Sequence, residues 1–140
     1  MDWRGTGEWT WERVAADPHV SLYAAQWGRR SGDGGVLAED RDGRVAGSAW
    51  WRLFTADAPG YGFVAEDIPE LGLAVAPEAR RLGLGTALVQ AAVVHARQRG
   101  HRALSLSVED GNASARRLYE TAGFTVVGRE GASDTMLLEW

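Results

Sequence analysis

The chain predicts one mixed α/β domain, a single sheet of about six strands flanked by helices. Three observations predict it. Segments of period-two hydrophobic alternation are interleaved with segments of helical spacing. A strand, a Gly-rich turn and a helix follow one another without interruption between residues 70 and 99. The 140 residues are 45% hydrophobic and 24% charged, which suits one folded domain over residues 1–140 that buries roughly 68–70% of its unfolded surface.

Trp3, Trp9 and Trp11 open the chain without a period and predict no element. Residues 10–16 open a short helix that Asp17-Pro18 stops. Val20, Tyr23, Ala24 and Trp27 have helical spacing that ends near Gly28. Residues 31–35 are a polar, Gly-rich loop. Residues 36–39 and 44–54 are two strands joined by Asp40-Arg41-Asp42-Gly43, whose Asp-Gly pair signals a hairpin. Residues 55–62 are a loop. Residues 70–76 are apolar and bounded by Pro69 and Pro77, which predicts a buried strand. Residues 86–99 place Leu88, Ala91, Ala92, His95 and Ala96 on one helical face, and Gly100 stops the helix. Residues 103–108 alternate Leu104, Leu106 and Val108 with Ala103, Ser105 and Ser107, a half-buried strand. Asp110-Gly111-Asn112 is a turn and cap. Residues 113–122 are a helix stopped by Gly123, and residues 124–127 and 135–139 close the chain as strands.

Composition removes several chemistries. There is no cysteine, which excludes disulfides, Cys-ligated zinc, iron–sulfur centres and thiol nucleophiles. There is no lysine, all 15 basic residues being Arg, which excludes a P-loop lysine, a Schiff base and a Lys general base. The net charge of −4 argues against nucleic acid as a partner. Residues 1–70 hold 12 acids and 7 Arg, and residues 71–140 hold 7 acids and 8 Arg, so the second half tolerates an anion better. His95 and His101 lack ligand spacing, and no metal is inferred. Met1-Asp2-Trp3-Arg4 has no apolar core behind it, so no signal peptide is expected. The longest apolar run, residues 87–94, is interrupted by Gln90 and falls far short of the ~20 residues that span a bilayer. A cytosolic protein with no membrane partner is the expectation.

Chemistry concentrates in Leu71-Gly72-Leu73-Ala74-Val75-Ala76-Pro77-Glu78-Ala79-Arg80-Arg81-Leu82-Gly83-Leu84-Gly85-Thr86, followed by a helix. A helix start exposes about four unpaired N–H groups and roughly half a positive charge. Glycines let a bulky anion approach that backbone, and adjacent arginines add charge-assisted hydrogen bonds. Together these make a pyrophosphate cradle. The missing Lys rules out a Walker A loop. Leu88 rules out the dinucleotide fingerprint, because it stands three residues after Gly85, where Gly or Ala is wanted.

What remains, Arg80-x-x-Gly83-x-Gly85 after a Val-x-Pro strand end, resembles the acetyl-CoA loop of the GNAT N-acetyltransferase superfamily. The resemblance continues through Asn112-Ala113-Ser114-Ala115-Arg116-Arg117-Leu118-Tyr119-Glu120 and Gly123-Phe124. It is close from Pro69 to Trp140, fades through the 36–54 hairpin and is absent before residue 18. It implies a central mixed, mostly antiparallel sheet in which residues 73–76 splay from strand 103–108 and open a wedge for acetyl-CoA. Backbone groups of Leu73, Ala74 and Val75 would pair with the pantetheine arm, the N–H of Val75 donating to the thioester carbonyl. Arg80, Arg81, Leu82, Gly83, Leu84, Gly85 and Thr86 would hold the pyrophosphate. Asn112 and Ser114 join the cofactor-binding set. From its own position Asn112 is equally a helix N-cap, and one side chain serves one role at a time. Tyr119 would be the catalytic acid, a phenol of reference pKa about 10 beside a leaving thiol of about 8.5. The family's N-terminal strand and long helix are expected to be reduced or missing here.

The resemblance leaves the base open. Glu70 is the candidate, with Asp67 and Glu66 as alternatives. By registry from Val75 the family's glutamate position falls nearer Pro69, and another position used by some members is Ser107. An acceptor of low pKa would need no base. The acceptor pocket is expected from Trp27, Arg29, Arg30, Trp50, Trp51, Arg52, Phe54, Tyr61 and Phe63, with Trp50 and Trp51 on opposite faces of their strand. The expected reaction is direct acetyl transfer from acetyl-CoA to a small-molecule or peptide primary amine. An acyl-CoA sensor on the same scaffold and a different nucleotide-binding protein are the competing readings. Exposed Trp and an open sheet edge favour association, with a homodimer as the hypothesis.

Overall fold

The first strand pair is closed by one carboxylate. Asp40 Oδ1 accepts the N–H groups of Asp42 (2.8 Å) and Arg44 (2.9 Å), and Gly43 takes φ +78° to complete the reversal. The Asp-Gly signal thus gives the expected hairpin, joining β1 (Gly34–Glu39) to β2 (Val45–Arg52). The structure is a computed structural model and describes residues 28–80 and 82–140. The two helices expected over residues 10–16 and 20–27, the expected reduction of the N-terminal elements and Arg81 lie outside the described residues.

Four further strands and two helices follow: β3 (Glu70–Val75), α1 (Leu84–Gln98), β4 (Ala103–Glu109), α2 (Ala113–Thr121), β5 (Thr125–Glu130) and β6 (Ser133–Glu139). The strands form one sheet in the order β1-β2-β3-β4-β6-β5. Every neighbouring pair is antiparallel except β3 with β4, which α1 connects; a parallel pair requires such a crossover. The mixed, mostly antiparallel six-stranded sheet is the architecture the sequence leads one to expect. Among the described residues no helix is long and apolar enough to cross a membrane.

The core lies between one sheet face and the two helices. Ala49, Trp51, Leu71, Leu104, Leu106, Val108 and Met136 face Leu88, Val89, Ala92 and Ala96 of α1 and Tyr119 of α2. The helical face differs from expectation in two places: Ala91 is exposed and Val89 is fully buried. Because α1 crosses four strands, its apolar stripe is wide and takes in Val89 beside Leu88 and Ala92. β4 is also more deeply buried than its alternation suggests. Ala103 and Ser105 on its second face are inaccessible, because the segment 54–69 covers that face. Gly62 lies against the Leu106 backbone so tightly that a Cβ there would meet it at 2.5 Å. β3 differs in the other direction. Glu70 and Leu71 are buried, but Gly72 to Val75 are only half-buried, since β4 leaves their side. The closing hairpin runs longer than expected, with a bulge between Val126 and Gly128.

Arg52 is a second correction. It is 1% exposed, so it presents no surface to an acceptor. Its guanidinium grips Asp33 through two bonds of 2.8 and 2.7 Å, and Asp33 also accepts the Gly28 and Arg30 N–H groups. Burial pushes the Asp33 carboxyl up, but the Arg52 bond and its other partners outweigh it and hold it below the usual range. Asp33→Ala removes the carboxylate from a buried guanidinium and is expected to cost about 3–5 kcal/mol in urea unfolding. The pair's contribution is present in full above the unfolded-chain value of about 3.9 and is lost as pH falls below it through the folded value. The variant's stability curve should therefore be flatter than the parent's on the acid side.

Candidate active site

The site begins where β3 loses its neighbour. β3 and β4 pair at a single position, Glu70 with Ser105, sealed by the Ser105 N–H on the Pro69 carbonyl (3.0 Å). On the other side β3 pairs with β2 along its whole length. Antiparallel pairs alternate between hydrogen-bonded and non-bonded positions. The Ala76 N–H donates to Ala46 of the β2 side at 2.8 Å, so Ala74 and Gly72 also spend their backbone groups on β2. Leu73 and Val75 then direct their N–H and C=O groups the opposite way, into the gap that β4 has vacated. The Val75 carbonyl accepts from Arg80 Nε at 3.4 Å, which agrees with that direction. Ala74 therefore differs from its two neighbours: its backbone is used inside the sheet.

After β3, a single turn of 3-10 helix (Pro77–Ala79) leads to Gly83, which takes φ +78° ahead of α1. An L side chain there would be strained even though nothing crowds it. No side chain caps α1 and no acidic residue stands in its first turn. Its first internal bond runs from Ala87 N–H to the Gly83 carbonyl. The N–H groups of Leu84, Gly85 and Thr86 thus face outward at the positive end of a long helix, an arrangement suited to an anion. Gly85 serves packing as well, since a Cβ would meet Leu118 of α2 at 2.7 Å.

Between these groups lies a cleft of about 790 Å³. Leu73 and Val75 form one wall, Arg80, Gly83, Gly85 and Thr86 the mouth, and Asn112, Ser114 and Tyr119 the α2 side. Nine sequence-derived residues therefore meet around one space. Leu82 is 77% exposed and Leu84 packs towards the core, so neither side chain lines it. Arg117 and Leu118 also line it and were not singled out from sequence. The signal was the Arg116-Arg117 pair. Adjacent helical residues point about 100° apart, and here one arginine takes an ion pair while the other faces the cleft.

α2 is fixed by charges. Arg116 donates to Asp134 of β6 (2.6 Å), Asp134 accepts from Arg129 of β5 (2.8 Å), and Arg129 also grips Asp110 in the turn before α2. Hydrogen bonds from Arg116 and Arg129 hold the Asp134 carboxyl below the usual range. Asn112 Oδ1 accepts the Ala115 N–H at 3.3 Å and so caps α2. Its amide nitrogen is a separate atom, so capping and lining the cleft are compatible. Tyr119 is 7% exposed, stands edge-on to Phe124, and burial pushes its phenol up to about 12.

Glu70 stands elsewhere. It is buried at the closed end of the gap, its Oε1 accepting the Gly62 N–H at 3.1 Å. Alternation along β3 puts it on the face away from α1 and α2, outside the lining of the large cleft. Glu66 accepts the Ala56 N–H and Asp67 holds Arg102, both at the surface. Trp51 is core, its ring edge-on to His95 (5.6 Å). Trp50 occupies the opposite face, its indole over Gly72. Phe54 is buried, and Tyr61 and Phe63 border a smaller cleft beside β5.

Residues 3–124 match the acetyltransferase (GNAT) family. A mycothiol acetyltransferase from Saccharomonospora viridis is 38% identical over 96 residues, covering 68% of this chain and 31% of that protein. The chain thus spans about a third of the length of the curated relatives it matches. A GCN5-related N-acetyltransferase from Kribbella flavida superposes with a TM-score of 0.68 at 24% identity, covering 89% of this chain and 79% of that one. A phosphinothricin acetyltransferase from Sinorhizobium meliloti, solved in complex with acetyl-CoA, gives 0.64 at 24% identity over 77% and 61%.

Proposed function

This chain belongs to the acetyltransferase (GNAT) family, and on that premise we propose that it transfers an acetyl group from acetyl-CoA to a primary amine. The observation that carries the reading is the coincidence of two features around one cleft. One is a strand edge whose backbone donors at Leu73 and Val75 point into the gap, and the other is an uncapped helix N-terminus at Leu84 to Thr86. A ligand with an amide-bearing arm and a pyrophosphate uses both. The pantetheine arm would add as a strand beside β3, and the Val75 N–H would donate to the thioester carbonyl. Arg80, Arg81 and Arg117 would neutralise the phosphates with the α1 N-terminus, while Asn112 and Ser114 border the arm.

The amine nitrogen attacks the thioester carbon, the C–S bond breaks, the sulfur leaves as thiolate and the ammonium proton passes to a base. With its phenol pushed up to about 12, Tyr119 stays protonated through neutral pH. Full proton transfer to a thiolate of reference value about 8.5 is then uphill. The role that fits is a hydrogen bond aimed at the charge developing on sulfur. An alkyl amine of pKa near 10.4 costs about 4 kcal/mol to deprotonate at pH 7.4. Glu70, at the apex of the gap on the face away from the large cleft, is the carboxylate we assign to draw that proton through water.

The chain has no cysteine, so thiol release from acetyl-CoA can be followed against no protein background. Acetyl-CoA should bind, and CoA should be released with at least one amine of a panel of small amines and peptides; absence of both would contradict the reading. Tyr119→Phe should lower kcat by about 10²–10³ with the Kd for acetyl-CoA nearly unchanged. Glu70→Gln should lower kcat/KM strongly at pH 7, and the deficit should shrink towards pH 10 as the amine loses its own proton. A deficit constant across pH would assign Glu70 a structural role instead.

A further inference from the structure

The smaller cleft gives the acceptor a chemistry. It encloses about 480 Å³ between the 59–64 loop and the β5–β6 hairpin, within the range of small-molecule sites. Its walls include Tyr61, Phe63, Val64 and Val127, and Thr135 forms part of its floor. Tyr61, Val64 and Val127 are 42, 36 and 50% exposed, so apolar surface is left facing water in a concave place.

Its position relates it to the reaction. Met136 of β6 faces the helices, so Thr135, next to it on the strand, faces the other side of the sheet. Thr135 pairs with Ser107, two residues past the point where β4 leaves β3. The loop that carries Tyr61 and Phe63 is pinned there through Gly62, which lies on the Leu106 backbone and donates to Glu70. The smaller cleft therefore opens beside the gap, on the face opposite the large one.

Its charge is one-sided. Arg129 is at the rim, but its charge is taken by Asp110 and Asp134, and Asp134 also takes Arg116. Two arginines and two aspartates cancel. Glu130, the remaining charged residue of the lining, leaves the rim net negative.

We propose that this cleft seats the body of the acceptor, and that it selects a primary amine carrying a flat or bulky apolar group over an acid of the same shape. The proposal rests on the acetyltransferase reading above. It can be tested by amide NMR of the full chain in saturating acetyl-CoA, titrated with 3-phenylpropylamine and, separately, 3-phenylpropanoate. The two probes share a ring and differ in charge. The amine should shift the amides of Tyr61, Val64, Val127 and Glu130, and should bind about tenfold more tightly than the carboxylate. Glu130→Gln should narrow that gap to about threefold or less, and Tyr61→Ala should weaken the amine several-fold, with both folds verified in the same spectra. Equal binding of the two probes, shifts confined to other surfaces, or unchanged affinity in both variants would overturn the proposal. If acetyl-CoA itself leaves Gly83, Gly85 and Thr86 unshifted, the acetyltransferase reading fails and the acceptor assignment falls with it.

Discussion

β3 and β4 meet at Glu70 and Ser105 and nowhere else, and most of the site depends on that parting. Parallel neighbours ordinarily exchange hydrogen bonds along their shared length. Here two residues of β3 are left with backbone groups directed at open space. Such groups are costly unless water or a ligand takes them. The sheet thus carries a built-in place for an extended ligand, with side-chain packing on β3 undisturbed because Leu71, Leu73 and Val75 still face the helices. The gap has a closed end as well. Ser105, Pro69, Glu70 and Gly62 are tied together there by backbone and carboxylate bonds.

The rest of the molecule holds the two sides of the gap in place. α1 connects β3 to β4 and brings its positive end to the mouth of the cleft. α2 closes over it at the Gly85–Leu118 contact. The linked pairs of Arg116, Asp134, Arg129 and Asp110 join α2 to β5, β6 and the turn before it. Exposed pairs of this kind add little stability singly, but a network across three elements constrains where a helix sits. Tyr119 lies one turn after Arg116 and inherits that placement. On the far side of the sheet, Asp33 and Arg52 bury a full ion pair under the segment that precedes β1.

The strand–turn–helix unit is legible in the sequence because several residue constraints coincide there. Gly83 needs a positive φ, Gly85 needs to be small, Pro77 ends a strand, and an arginine follows. The hairpin at Asp40 is legible for a similar reason. Features set by distant parts of the chain are not. The second face of β4 alternates as though half exposed, yet the 54–69 segment, without regular structure of its own, covers it. Arg52 sits in a run of aromatics that reads from sequence as pocket wall, and only the fold shows Asp33 beside it. Glu70 is placed near the gap by sequence, but its face of the strand depends on register, which one residue would reverse. The roles of Arg116 and Arg117 are likewise set by where α2 docks.

The most direct test is residue-resolved amide hydrogen exchange of Leu73, Ala74 and Val75 with and without acetyl-CoA. Ala74 pairs with β2, so it should exchange slowly in both states. Leu73 and Val75 should exchange rapidly in the free chain and slow by at least about tenfold when acetyl-CoA adds along the strand. Protection of all three amides already in the free chain, or saturation with acetyl-CoA that leaves Leu73 and Val75 as fast as before, would contradict it.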